Sequence, residues 1–223
     1  MPDRYRKAYL VIGSFILLCG ISCVPVCRLF SQSQFSEMKN PSGFQKKLNE
    51  ATRKINTLEC DFIQEKNLTV VAEQVTSKGK FYFKKEKLLR WEYTDPFSYI
   101  IIIRNDEIYI KDEGKESHFD TKSNKMFGEI NNIIVGSIRG TILEDKKNFR
   151  VVFAEGNNLN MVRLYPKTTR LKNFFTEIRI YFDRLDYTVN MLEIFESSGD
   201  NTKILFSGKK QNQPIPDEKF LIK

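Results

Sequence analysis

Between Val75 and Lys111 three apolar runs follow one another with little but turn residues between them, and this stretch constrains the fold of the whole chain. In Gly79-Lys80-Phe81-Tyr82-Phe83-Lys84 and in Leu89-Arg90-Trp91-Glu92-Tyr93, large apolar groups return at every second residue. That is the period of a strand whose two faces meet different surroundings. The third run, Tyr99-Ile100-Ile101-Ile102-Ile103, is apolar on both parities and mostly β-branched, which predicts a central strand buried on both sides. The charged connection from Lys84 to Leu88, Asp95-Pro96 and Asn105-Asp106 supply the turn chemistry that separates the runs.

A chain of 223 residues is long enough for one all-β or α+β domain with a substantial core. With 18 Phe and 9 Tyr against 7 Pro and 11 Gly, the composition is that of a folded protein. The net charge is +8, and residues 1–22 carry Asp3, Arg4, Arg6 and Lys7, so +6 stays on the remainder. A basic surface favours anionic partners such as lipid headgroups or nucleic acid. Nucleic-acid binding is disfavoured, because the chain has no helix-turn-helix pattern, zinc spacing or RNP-like motif and its lysines are dispersed.

The first 27 residues read as a targeting segment. Arg4, Arg6 and Lys7 precede an uncharged run from Ala8, and Gly20-Ile21-Ser22 presents small residues three and one positions before a cut, the layout of a signal peptide spanning residues 1–22. Two alternatives stay open. The uncharged run extends to Cys27, long enough for an uncleaved membrane anchor, although Pro25 argues against it. Cys23 could instead be acylated after cleavage before it, although Gly20 stands where a lipobox has an aliphatic residue. Cys19, Cys23 and Cys27 lie in or beside this segment, so Cys60 alone remains in the domain and reads as a small buried thiol.

Residues 23–40 form a Ser/Gln-rich linker, and a domain over residues 41–223 follows. Ser42 and Gln45 make a capping-box signature, after which Phe44, Leu48, Ala51 and Ile55 share one helical stripe. Strands begin at Leu58 and at Val70. Asp112 to Lys122 is a polar stretch; Met126, Phe127, Ile130, Ile133 and Ile134 then recur at helical spacing, with Gly136 as the end of the pattern. Five further strands are expected, around Phe149–Phe153, Met161–Tyr165, Glu177–Phe182, Met191–Phe195 and Lys203–Phe206. About ten strands with two or three helices exceed what one flat sheet carries, so an antiparallel meander should curl, with helices covering its concave side.

Catalytic constellations are missing from the sequence. His118 is the only histidine and sits beside Asp120 in the polar stretch, so neither a zinc site nor a His-dependent nucleophile follows. Gly136-Ser137-Ile138-Arg139-Gly140 lacks the nucleophile-elbow spacing, and Glu144-Asp145 stands next to Lys146 and Lys147 as in a solvated turn. The expectation is a binding protein with no catalytic residue, cofactor or metal.

After the first helix come Leu58-x-x-x-Phe62-x-Gln64, Gly79-x-Phe81-Tyr82-Phe83, Leu88-Leu89-Arg90-Trp91-Glu92-Tyr93, Pro96, and Ile108-Tyr109 before Asp112. Later follow Tyr165-Pro166-Lys167, Ile178 to Phe182, Gly199-Asp200-Asn201-Thr202 and Asn212-x-x-Ile215-Pro216-x-x-x-Phe220. This order over residues 42–223 resembles the LolA family, the periplasmic outer-membrane lipoprotein carriers of the Lol system. The resemblance implies an incomplete antiparallel β-barrel, lidded by helices, whose cavity takes lipoprotein acyl chains. It places the family's cavity-facing tryptophan at Trp91 and an apolar wall residue at Ile101. Parity then adds Phe81, Phe83 and Leu89 to the wall and Ile130, Ile133 and Ile134 to the lid. One departure stands out: where the family has Arg-Pro after the Phe81–Phe83 strand, its arginine bonding the lid, this chain has Lys85-Glu86, and lysine has no planar fork of donors.

The resemblance further implies a periplasmic monomer that meets an inner-membrane, ATP-driven lipoprotein-releasing complex and an outer-membrane acceptor. Related readings of the same half-barrel are a carrier of another envelope lipid and a membrane-tethered sensor of lipid or lipoprotein; retention of Ala8 to Cys27 would favour the tether. A half-barrel filled by its own side chains is the remaining alternative.

Overall fold

The computed structural model describes residues 35–85, 88–105, 107–112, 114–120 and 125–222. The targeting segment, with Cys19, Cys23 and Cys27, lies outside them, as do the side chains of Met126 and Phe127. No helix among the described residues is long and apolar enough to cross a membrane.

Twelve strands form one antiparallel sheet: β1 (Ser36–Glu37), β2 (Thr57–Leu68), β3 (Glu73–Lys84), β4 (Leu88–Asp95), β5 (Tyr99–Arg104), β6 (Glu107–Asp112), β7 (Lys115–Asp120), β8 (Phe149–Glu155), β9 (Leu159–Pro166), β10 (Phe175–Asp183), β11 (Val189–Glu196) and β12 (Asn201–Gln211). The order is β1-β8-β9-β10-β11-β12-β2-β3-β4-β5-β6-β7, so two meanders join where β12 pairs with β2, and β1 and β7 remain as unjoined ends. The sheet is therefore an open, curled barrel. Register shifts sharpen the curl, at Lys78/Gly79 between β3 and β4 and at Ser207/Lys210 between β12 and β2.

Inward parity carries the core. Phe62, Phe81, Phe83, Trp91, Ile101, Leu164, Ile178, Ile180, Phe182 and Ile204 belong to one buried cluster on the concave face. The isoleucine run of β5 is apolar on both parities because both faces are covered: Ile101 and Ile103 point inward, while Ile102 packs outward with Tyr82, Ile215 and Phe220 of the C-terminal segment. The strand is nonetheless third from one end of the sheet, so its two-sided burial comes from the chain terminus rather than from a central place.

Helix α1 (Pro41–Thr52) buries Phe44, Leu48 and Thr52. Its cap is Asn40 rather than Ser42, because Pro41 suits the first helical position, having no N–H to satisfy there. Asn40 Oδ1 accepts the Gly43 N–H at 2.9 Å. Asn40→Ala should lower stability by about 1 kcal/mol, read by urea unfolding; an unchanged midpoint would mean that the helix start is held by its packing alone.

Helix α2 (Lys125–Ile138) runs past Gly136, where the sequence pattern ends. A Cβ at residue 136 would stand 3.1 Å from Ile142 Cβ, so this glycine admits the following 3-10 turn (Thr141–Glu144) against the helix instead of stopping it. The stop is Gly140, at φ +70°. A short helix α3 (Thr169–Lys172) precedes β10.

Three other expectations change. The polar stretch from Asp112 contains β7, which pairs with β6 along its whole length; its side chains are mostly exposed and only Phe119 packs on the core, so no apolar alternation announces it. The linker stretch contributes β1, whose two residues pair with Glu155 and Ala154, and Met38 beside it is buried. Finally, Val70 and Val71 lie exposed in the turn before β3 rather than opening it.

Candidate functional site: an apolar cavity under α2

Strands β2, β4, β5, β10, β11 and β12 present their inward side chains to α2 across an apolar cavity with about 70 Å³ of free space. Leu89, Trp91, Tyr93, Ile101 and Ile103 form one wall, Phe175, Ile194 and Ile204 the facing one, and Ile130 and Ile134 close it from the helix. Trp91 is fixed by rings on several sides: its centroid lies 4.9 Å from Phe62, 5.0 Å from Phe81 and 6.1 Å from Phe206. In register Trp91 pairs with Phe81 on β3 and Ile101 on β5, so the alternation of three adjacent strands builds one continuous face.

The lining also includes polar groups. Gln64 Oε1 accepts the Tyr93 hydroxyl at 3.0 Å, and burial pushes that hydroxyl well above the ordinary tyrosine range, keeping it a neutral donor. Glu196 accepts from Lys66 Nζ at 2.9 Å and from Thr202 Oγ1 at 3.3 Å. Removing either member of the Lys66–Glu196 pair would leave a charge in poorly hydrated surroundings. Two buried polar atoms of the lining have no hydrogen bond of normal geometry: Trp91 Nε1, which lies beside the Tyr93 hydroxyl, and Asn131 Oδ1 on α2.

A smaller cavity of about 20 Å³ lies further along α2, lined by Cys60, Phe81, Ile134, Phe206 and Lys209 among others. Burial raises the Cys60 thiol to about 12, so no thiolate nucleophile exists there near neutral pH. Ile134 lines both cavities, which makes α2 their shared roof. Beyond its end, Arg139 O lies 3.0 Å from Thr52 Oγ1 of α1, and Glu129 within it pairs with Arg170 of α3 at 2.7 Å.

Of the residues expected from the sequence, Leu89, Trp91, Ile101, Ile130 and Ile134 line the main cavity and Phe81 the smaller one. Phe83 and Ile133 are fully buried in the surrounding core. Lys85 is exposed in the turn after β3, its backbone N–H bonded to Asn56 O, and no described contact joins its side chain to α2. Tyr93 and Ile103 continue parities already marked in the sequence. Phe175, Ile194 and Ile204 needed the β12–β2 pairing, which no local pattern announces.

Among the described residues no group of His, Cys, Asp and Glu could hold a metal ion. His118 sits on β7, stacked at 4.5 Å on Tyr109 and paired with Glu107.

The profile of the family described as "Outer membrane lipoprotein carrier protein LolA" matches residues 53–223. The chain belongs to the LolA family. An outer-membrane lipoprotein carrier protein of Pseudomonas putida (strain GB-1) is 25% identical over 177 residues, 78% of this chain and 81% of that one. Its counterpart in Chromobacterium violaceum is 24% identical over 169 residues, 74% of this chain and 75% of that one. Among solved structures, a LolA-superfamily protein from Nitrosomonas europaea superposes with a TM-score of 0.42 at 7% identity, over 81% of this chain and 96% of that one. The Mycobacterium tuberculosis lipoprotein LppX gives 0.46 at 9%, over 78% and 96%. LolA-family membership fits a carrier without catalytic groups, and the incomplete barrel described above is this chain's own geometry.

Proposed function

We propose that this LolA-family protein carries lipoprotein acyl chains through the periplasm, from the inner to the outer membrane, in the cavity under α2. The observation that supports this reading is a predominantly apolar cavity roofed by Ile130 and Ile134 of α2. An acyl chain of about 16 carbons exposed to water costs on the order of 12 kcal/mol, so a carrier has to cover it.

On this reading an incoming chain displaces α2, the roof of both cavities. Ile130 and Ile134 leave the wall when the chain takes their place, so the ligand gains only the difference between its own burial and theirs. That difference keeps the affinity below that of a bilayer and allows unloading. A carbonyl on the incoming chain would meet the Trp91 indole N–H as a ready donor.

Protein isolated from its native envelope should carry bound lipoprotein in native mass spectrometry, and Trp91, the only tryptophan, should shift its emission when a fatty-acyl probe is added. Neither bound lipid nor a fluorescence response would remove the carrier reading. Bound lipid without lipoprotein would replace lipoprotein by another envelope lipid as the cargo.

A further inference from the structure

An open groove of about 760 Å³ lies at the β8 end of the sheet, away from the cavity under α2. Its floor is apolar, formed by Leu143 of the 3-10 turn and by Phe149, Val151 and Phe153 of β8. Its rim is basic, with Lys146, Arg150, Lys167 and Lys172, and no carboxylate lines it.

Those four cations are not neutralised. Elsewhere basic side chains lie against acids, as Lys66 does on Glu196, Lys80 on Asp61, Arg90 on Glu92 and Arg179 on Glu177. At the groove, Arg150 stacks on the Tyr165 ring at 4.2 Å and Lys167 Nζ donates to the Lys146 carbonyl at 2.8 Å, and none of the four is paired with a described carboxylate. The acids next to them in the chain are turned elsewhere: Asp145 holds Asn148, and Glu144 accepts from Asn49.

The same groove contains an unfinished sheet edge. Strand β1 pairs only with Ala154 and Glu155, and the last contact on that side is Met38 N–H to Phe153 O at 3.2 Å. Along an antiparallel strand alternate residues turn their backbone groups to the same edge, so Val151, two residues before Phe153, presents N–H and C=O to the uncovered side. Lysines beside an edge also serve to discourage pairing with other sheets. That role needs charge alone, and it gives no account of the apolar floor beneath the charges, where Val151 and Phe153 are half-buried.

We propose that the β8 groove docks an acidic, extended segment of a partner polypeptide, which adds as a strand to the free edge at Val151. Its carboxylates would meet Lys146, Arg150, Lys167 and Lys172, and its apolar residues would alternate onto Val151 and Phe153. This site is separate from the acyl cavity and does not rest on the carrier reading.

The test uses two capped hexapeptides, acetyl-Glu-Leu-Glu-Val-Glu-Leu-amide and its counterpart with lysine in place of glutamate, together with phosphatidylglycerol vesicles. The acidic peptide should bind at least about tenfold more tightly than the basic one and shift the backbone amide resonances of residues 150–153. Combining Lys146→Glu, Lys167→Glu and Lys172→Glu, all at exposed positions, should invert the preference. Val151→Pro, which removes the edge N–H, should abolish binding of the acidic peptide; if that variant unfolds, the charge-reversal variant and the amide shifts decide the matter. Equal affinity for the two peptides, or amide shifts confined to other strands, would overturn the proposal. Tight binding to the vesicles with no binding of either peptide would overturn it as well, making the groove a membrane-facing patch.

Discussion

Replacing Ile101 with aspartate is expected to abolish acyl-chain uptake, with affinity for a fatty-acyl probe falling by about a hundredfold or more. Ile101 pairs in register with Trp91, lines the main cavity and is only 8% exposed. Without ligand, the smaller aspartate side chain leaves room for water and can remain hydrated. An incoming acyl chain strips that water away, and an ionised carboxylate without a partner is among the costliest groups to bury. The control is Ile101→Ala, which removes bulk without adding charge; it should cost about 2 to 4 kcal/mol of stability and still bind the probe. Trp91 emission reads both binding and unfolding. Undiminished uptake by the aspartate variant would place the binding site elsewhere. Collapse of both variants to an unfolded state would mean that Ile101 is a wedge in a filled core.

The wall facing β3, β4 and β5 was legible in the sequence because a strand's two-residue period assigns each side chain to a face without knowledge of its neighbours. Trp91 and Ile101 came from the family resemblance, Phe81 and Leu89 follow from their parity with them, and Ile130 and Ile134 from the helical period. The opposite wall was not legible. Phe175, Ile194 and Ile204 become neighbours of Trp91 only when β12 closes on β2, a contact between residues more than a hundred positions apart. The polar members of the lining were hidden for another reason. Gln64, Glu196 and Thr202 occupy inward positions where pattern reading expects apolar groups, and they are tolerated there because Tyr93 donates to Gln64 while Lys66 and Thr202 both donate to Glu196. Glycine misled at position 136, where its lack of a side chain serves close packing on Ile142 rather than a helix stop. Lys85, which stands where the family has its lid-bonding arginine, sits in an exposed turn.

Gly79→Ala is expected to be the most destabilising single-methyl change on the concave face, costing about 3 kcal/mol or more. Gly79 lies where the β3–β4 register shifts, opposite Tyr93. A Cβ there would stand 2.0 Å from the Glu92 carbonyl oxygen and 2.8 Å from the Phe62 ring. Neither obstacle is the flexible end of a side chain. The carbonyl belongs to the neighbouring strand, and Phe62 is held between Trp91 at 4.9 Å and Tyr93 at 5.1 Å. Relief therefore requires the two strands to separate or the aromatic stack to shift, and either movement disturbs the wall on which Trp91 sits. Urea unfolding followed by Trp91 fluorescence should show a lower midpoint, together with an altered emission maximum in the folded baseline. Gly208→Ala is the comparison: residue 208 has φ +60°, but its added Cβ would meet only the end of one side chain, Asp61 Oδ2, at 3.0 Å. The strained backbone there should cost about 1 to 2 kcal/mol and leave Trp91 undisturbed. If Gly79→Ala kept both the midpoint and the emission of the parent, the close passage of β4 over residue 79 would be wrong, and with it the bulge that turns this edge of the barrel inward.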